Sequence, residues 1–192
     1  MISDKELADK FLYPNGVLKN KLEITDDQKL HELSYKTAAK QAALIYKAKP
    51  KIKTIDDLNV IHKIMFGSLF SWAGITRNYN LTKTSKVNGE YVTTQFLEYQ
   101  VLNQGEIMIN NELADLPDGP VSPQRYANLL DSINYLHPFR EGNGRSTKCF
   151  LQCLAQNHGQ AIDYDRDQEK FITAENASDI DSLAKLLQIE EL

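Results

Sequence analysis

Leu136-His137-Pro138-Phe139-Arg140-Glu141-Gly142-Asn143-Gly144-Arg145-Ser146-Thr147-Lys148 is the stretch that decides both fold and chemistry in this chain. Pro138 disfavours a helical backbone at His137, so the preceding helix should end there. Gly142, Asn143 and Gly144 are three adjacent residues tolerant of positive φ, a sequence suited to turning successive backbone N–H groups toward one anion. A helix should open directly behind them, from about Gly144 to His158, and stop at Gly159, where a left-handed residue fits. Its unpaired first N–H groups and positive dipole end would face the same point. Arg145 and Lys148, one turn apart, add two cations. Glu141 beside such a site is unfavourable alone, but sensible if it holds Mg²⁺ between its carboxylate and a phosphate chain. His137 titrates near neutral pH and can take a hydroxyl proton. Each residue singly has a plain structural reading, a helix end or a turn. A base, a metal carboxylate and an anion hole within nine residues specify phosphoryl or nucleotidyl transfer.

Outward from this stretch, helix signals dominate. Ser122-Pro123 reads as an N-cap with Pro in the first helical position, followed by the stripe Tyr126, Leu129, Leu130, Ile133 and Leu136. Thr54 should cap an earlier helix with Leu58, Ile61, Met65 and Leu69 on one face. Thr25-Asp26-Asp27-Gln28 has the form of a capping box, and Leu30, Leu33, Thr37, Gln41, Leu44 and Ile45 follow a period near 3.6. Two short C-terminal helices are predicted, Gln168 to Asn176 and Ile180 to Gln188. Residues 79–95 are the exception. Asn88-Gly89 between Lys86-Val87 and Glu90-Tyr91 is a two-residue hairpin signal, because both turn residues tolerate positive φ. A lone hairpin is marginal in water, so it either packs on the helices or offers an edge to a partner. Residues 47–53, four lysines around a proline, read as a solvated linker. The prediction is an all-α, compact multi-helix fold with a small β-hairpin flap.

With 192 residues, 42% of them hydrophobic, the chain can fill one core. We expect a single domain over 1–192, with its core at about 55–190 and an N-terminal helical segment at 1–54. A formal net charge of −4 argues against general binding to a nucleic-acid backbone. No apolar run is long enough to span a bilayer, and the first residues lack the pattern of a secretory signal. Cys149 and Cys153, at helical spacing, read as small buried apolar side chains in a reducing compartment, which points to the cytoplasm.

The central stretch resembles the signature of the Fic family, HxFx(D/E)GNGRxxR. His137, Phe139, Glu141, Gly142, Asn143, Gly144 and Arg145 match it position by position. Tyr13-Pro14, Leu18-Lys19-Asn20, and Ile61-His62 through Phe70-Ser71-Trp72-Ala73-Gly74 with Arg77 are similar to the family's upstream elements, Trp72 reading as a core aromatic. The hairpin lies where the family has its target-docking flap. The resemblance implies a protein adenylyltransferase that moves AMP from ATP to a Ser, Thr or Tyr hydroxyl. In that scheme His137 is the base, Glu141 holds Mg²⁺, Gly142, Asn143 and Gly144 form the anion hole, and Arg145 neutralises the leaving phosphates. Lys86, Val87, Asn88, Gly89, Glu90 and Tyr91 belong to the flap, which clamps the target by main-chain pairing.

One departure stands out. The family's second arginine is Lys148 here, which keeps the charge and loses the bidentate fork. This leaves open phosphorylation, transfer of another nucleotide, or an inactive nucleotide-binding module as alternatives, although the intact Gly-Asn-Gly speaks against the kinase variant of the Doc toxins. Many members also carry an inhibitory (S/T)xxxE(G/N) helix. Glu98 has Thr94 four residues earlier but is followed by Tyr99. Glu175 is followed by Asn176 but has Phe171 in the hydroxyl position. The resemblance therefore implies a toxin-like member restrained in trans by a small antitoxin, from a branch that modifies type II topoisomerase subunits.

Overall fold

Helix α6 (Asn143–Asn157) is the axis of the fold. Its residues Cys149, Phe150, Leu151, Cys153, Leu154 and Ala155 are all buried, which is the pattern of a helix enclosed on several sides rather than laid on a surface. The computed structural model describes residues 4–87 and 89–192. Around α6 pack α2 (Asp27–Ala48), α3 (Asp56–Phe66) and α5 (Pro123–Leu136), with α4 (Leu102–Ala114) behind α5. Helices α7 (Gln168–Ala177) and α8 (Ile180–Leu186) close the far side of α5, and α1 (Asp4–Phe11) lies at the N-terminus. The expected mainly helical fold is what forms. Both cysteines are buried and free.

Local signals set most helix ends. Ser122 Oγ accepts from Arg125 N at 3.4 Å ahead of Pro123, as read from the sequence. Gly159 takes a φ of 72° just past α6. Two caps shift. Helix α2 is capped by Asp26, not Thr25, its carboxylate accepting from Lys29 N at 2.9 Å. A carboxylate is the stronger acceptor at the positive end of a helix. At α3 the Thr54 hydroxyl is not the cap. Asp57 reaches back to accept from Lys53 N and Thr54 N at 2.7 and 3.1 Å. Along α2 the buried stripe is Leu30, Ser34, Ala38 and Ile45, whereas Leu44 is 54% exposed. Small side chains mark the close approach of α2 to the core, so the stripe was harder to see by hydrophobicity. The four lysines of residues 47–53 are exposed, and Asn157 ties the segment down through Ile52 N and Pro50 O. Trp72 is half-buried, stacked on Phe70 at 4.6 Å.

The strands differ more from expectation. β1 (Thr82–Val87) and β2 (Glu90–Gln95) form the predicted hairpin, with Val87 opposite Glu90 across a two-residue turn. Gly89 has φ 87°; Asn88 lies outside the described residues. A second antiparallel pair was not foreseen. α8 ends at Leu186 rather than Gln188, and β4 (Leu187–Glu191) pairs with β3 (Gln160–Tyr164), Ile162 opposite Ile189. Leu187 is buried and Gln188 exposed, the period-2 alternation of a half-buried strand, but only five residues long and with its partner more than twenty residues away.

Candidate active site

The last turn of α5 delivers His137. Its backbone is left-handed (φ 43°, ψ 60°), out of the right-handed helical region that the following proline disfavours, and its N–H still closes on Ile133 O at 3.0 Å. The imidazole is nearly sealed. Phe96, just past β2, lies flat on it at 3.5 Å and 12°. Nδ1 is 3.1 Å from Asn134 O. A carbonyl can only accept, so Nδ1 carries the proton and Nε2 keeps the lone pair. Burial pushes the imidazolium pKa down to about 3; the cations Lys83 and Arg77 add to this while the Asn134 carbonyl opposes it. The ring is therefore neutral at physiological pH.

The loop after His137 is braced from within. Asn143 turns its amide back onto Phe139, accepting from its N–H at 2.9 Å and donating to its carbonyl at 2.8 Å. Phe139 is fully buried and stacked on His62 at 3.8 Å. Gly74 N–H donates to His62 Nδ1 at 2.9 Å, so His62 Nε2–H must be the donor to Glu141 O, also at 2.9 Å. Burial holds that imidazole neutral, its pKa lowered to about 4. Of the three loop residues, only Gly142 takes positive φ (87°), and a Cβ there would sit 2.7 Å from the Phe66 ring. Asn143 and Gly144 already belong to the first turn of α6. The three-residue nest expected from the sequence is thus a single left-handed residue opening a helix. The first intrahelical bond is Ser146 N to Gly142 O at 3.0 Å, which leaves the N–H groups of Asn143, Gly144 and Arg145 ahead of it. Gly142 N–H is occupied by Glu141 Oε1 at 3.0 Å, and a Cβ on Gly144 would meet no protein atom within 4 Å.

The charged side chains converge on one cavity of about 410 Å³, bounded by His137, Glu141, the Gly142–Arg145 turn and Lys148 on one side. Its other walls are Tyr35 of α2, Leu81 to Lys83 at the base of β1, Arg140, and Phe171, Ile172 and Glu175 of α7. A hollow of about 550 Å³ between α7 and α8 is larger, but its walls, Asp167 and Lys185 among them, hold no histidine and no glycine turn. Arg145 donates to Ser34 Oγ at 2.9 Å, lies 3.5 Å from Glu141 Oε1, and is sandwiched between the Tyr35 and Phe66 rings at 4.4 and 4.7 Å. Lys148 Nζ sits over Phe171 at 4.3 Å and Tyr164 at 5.0 Å. Burial lowers its pKa, and the nearby Glu175 carboxylate opposes that. Glu175 itself is pushed up by burial, with Lys148 pulling the other way.

Every candidate residue of the central stretch therefore lines this cavity. Among the described residues the flap tip does not: Gly89, Glu90 and Tyr91 are exposed, Tyr91 at 79%, and it is the flap base that reaches the site. Thr94 Oγ1 fixes that base to α7 by donating to Asn176 Oδ1 at 2.7 Å. Sequence reasoning missed Tyr35, Lys83, Phe96, Arg140 and the wall position of Glu175. Only Glu175 carried a signal, its Glu-Asn pair. Among the described residues no three His, Cys, Asp or Glu side chains gather to cage a metal. Two carboxylates, Glu141 and Glu175, reach the cavity; Glu141, at the mouth of α6, could hold a Mg²⁺ ion of the kind that arrives with phosphates and keeps its waters.

The profile of the Fic/DOC family matches residues 53–155, more than half of the chain. The chain is 31% identical over 159 residues to protein adenylyltransferase VbhT of Bartonella schoenbuchensis, a match covering 82% of this chain and 33% of that protein. It is 28% identical over 169 residues to a probable protein adenylyltransferase Fic of Escherichia coli, covering 85% and 81%. The chain thus spans a third of the length of the first relative and most of the second. Among solved structures, BepC of Bartonella tribocorum with bound AMPPNP superposes with a TM-score of 0.77 at 22% identity, covering 96% of this chain and 98% of that one. The N-terminal Fic domain of a putative cell filamentation protein of Bartonella quintana with bound ADP gives 0.79 at 23% identity, covering 95% of each. Family profile and fold agree with the histidine and glycine turn at the mouth of α6: this chain belongs to the Fic/DOC family.

Proposed function

We propose that the chain is a protein adenylyltransferase that transfers AMP from ATP to a Ser, Thr or Tyr hydroxyl of another protein. The observation that carries this reading is the pairing, in one cavity, of a neutral histidine whose Nε2 is free and a helix N-terminus whose first N–H groups are unpaired. The relatives named adenylyltransferases and the neighbours holding AMPPNP or ADP support it. Triphosphate charge enters at the α6 turn, where the N–H groups of Asn143 and Gly144, the helix dipole, Arg145 and Lys148 receive it. A target hydroxyl held at the flap attacks the α-phosphorus while His137 Nε2 takes its proton. The new O–P bond forms as the bond from the α-phosphorus to the bridging oxygen breaks, and pyrophosphate leaves against Arg145. Bound phosphates would raise the pKa of His137 from its low resting value, because negative charge favours the imidazolium. Mg²⁺, held by Glu141 and the phosphates, would supply charge neutralisation of the leaving group. Glu141 must leave Arg145 to do so.

The test is transfer from ATP labelled at the α-phosphate compared with the γ-phosphate, with Mg²⁺ and a cell lysate. Adenylyl transfer keeps only the α-label on protein, and His137→Ala abolishes it. Retention of the γ-label would replace the reading with phosphorylation, a possibility that Lys148 in place of an arginine keeps in view. No label from either position, with ATP still bound, would mean a nucleotide-binding module.

As to control, we propose a toxin-like cytoplasmic protein restrained by a small partner carrying the (S/T)xxxE(G/N) helix, with type II topoisomerase subunits as the first targets to try. The support is sequence-level: Phe171 stands where that pattern needs a hydroxyl ahead of Glu175-Asn176. Purification from its native operon should bring down a small protein that suppresses transfer; active chain with no such companion would discard this part alone.

A further inference from the structure

Arg77 is a buried cation, 5% exposed, and among the described residues no carboxylate pairs with it. All of its side-chain hydrogen bonds go to main-chain carbonyls. Nε donates to His137 O at 2.9 Å, Nη2 to Leu136 O at 3.1 Å and to Leu97 O, and Nη1 to Tyr79 O at 2.7 Å. Its own backbone N–H donates to Pro138 O at 2.8 Å. Three consecutive carbonyls, 136 to 138, thus end on one residue, and these include the last orphan acceptors of α5. Tyr79 and Leu97 are the two legs from which the flap rises, just before β1 and just after β2. Between β2 and Leu97 lies Phe96, the ring that covers the His137 imidazole.

We propose that Arg77 is a positioning residue that couples the flap to the base: its guanidinium fork fixes the main chain of His137 and both flap legs in one register, so that imidazole, covering Phe96 and docked target are aligned together. The physical case is one of geometry and cost. A desolvated cation without a counter-charge is expensive to keep. Only a planar group with donors in fixed directions satisfies carbonyls on four residues at once, which a lysine cannot do. The left-handed backbone at His137 is strained in a residue with a Cβ, and the bond to its carbonyl holds it there. The unpaired charge also helps to keep His137 neutral.

The inference rests on the adenylyl-transfer reading, so its test has a readout independent of turnover. In ¹⁵N-histidine protein, His137, identified among the four histidines by its loss in His137→Ala, should show a protonated Nδ1 and a bare Nε2. Arg77→Ala should average those two nitrogens between tautomers. Its kcat for label transfer should fall about 100-fold, the usual effect of a catalytic group displaced by about 1 Å. ATP affinity by calorimetry should stay within about threefold, since the phosphate turn is not touched. Added guanidinium should restore both the nitrogen pattern and much of the kcat; ethylammonium should restore neither. Arg77→Lys, with its charge intact, should show the same split of kcat from affinity in milder form, and it carries the test if Arg77→Ala does not fold. Unchanged imidazole nitrogens, or kcat and ATP affinity falling together, or rescue by both amines alike would overturn the proposal. A wild-type protein that transfers nothing would sink the adenylyl-transfer reading while the nitrogen pattern still decided the role of Arg77.

Discussion

β1–β2 and β3–β4 are antiparallel pairs of nearly equal length, six residues a strand against five, yet Tyr91 of the first is 79% exposed and Leu187 of the second 1%. The first meets the helices at its base, where β1 packs on α7 and Thr94 donates to Asn176. Among its described residues the side-chain link across the strands is polar, the Thr84 and Thr93 hydroxyls 2.9 Å apart. The second lies on α5, α6 and α8 and buries Ile162 and Leu187 there. A two-stranded sheet has too little apolar surface to be stable alone. β3–β4 resolves this by joining the core. β1–β2 leaves its strand edges to solvent, which is what main-chain docking of a target requires. One sheet serves stability; the other is the one that would meet a target in the proposed function.

Four experiments follow that division. Leu187→Ala should cost about 2–5 kcal/mol in urea unfolding, the usual range for emptying a buried leucine site, with ATP affinity per folded molecule unchanged. A cost below about 0.5 kcal/mol would mean that β3–β4 is as peripheral as the flap. Replacing residues 84–93 with two glycines should do the converse. Transfer to protein targets should drop about 100-fold, equivalent to about 2.7 kcal/mol, while the unfolding midpoint and ATP affinity hold. Loss of folding would erase the distinction between the sheets.

Acid should act on neither sheet but on the loop between α5 and α6, which His137 opens and His62 braces. His137 and His62 have folded pKa values near 3 and 4, below the unfolded value near 6.5, so the unfolded chain binds more protons. Their contribution is fully present above about pH 6.5 and is lost as pH falls toward 4, at about 1.4 kcal/mol per pH unit for each histidine. Urea midpoints across pH 4 to 7 should show this slope, and His62→Gln or His137→Gln should each flatten it. A slope untouched by either substitution would place the acid sensitivity elsewhere. Smallest of all, Thr94→Val removes the exposed hydrogen bond between flap and α7. We expect about 0.5–1 kcal/mol or less in stability and a few-fold slower transfer; no change in transfer would show that the flap base is held without it.

Much of the site was legible because its determinants are local. Pro138 ends α5, Ser122-Pro123 starts it, Gly142 turns the chain and Gly159 stops α6, each through sterics or caps within a few residues. The hairpin was legible for the same reason, since Asn88-Gly89 is a two-residue signal. What stayed hidden was non-local. Arg77, Phe96 and Glu175 lie tens of residues from His137 and Lys148, and no periodicity marks them as neighbours. Ser34 and Ala38, small and unremarkable in sequence, face the core because α2 approaches closely there, and Ser34 receives Arg145. Glu175 was weighed against a linear pattern and set aside, yet it stands across from Lys148 in the cavity wall.

The sequence by itself determined the helical class, the turn at the mouth of α6 and which side chains bring an imidazole, a carboxylate and two cations to it, because backbone sterics and functional-group chemistry are properties of adjacent residues. Tertiary structure alone decided that the imidazole is buried, neutral and single in tautomer, that the glycine turn is one left-handed residue and not three, and that β4 leaves α8 to pair with β3. These depend on desolvation and on contacts between distant segments, which exist only after the chain has closed on itself.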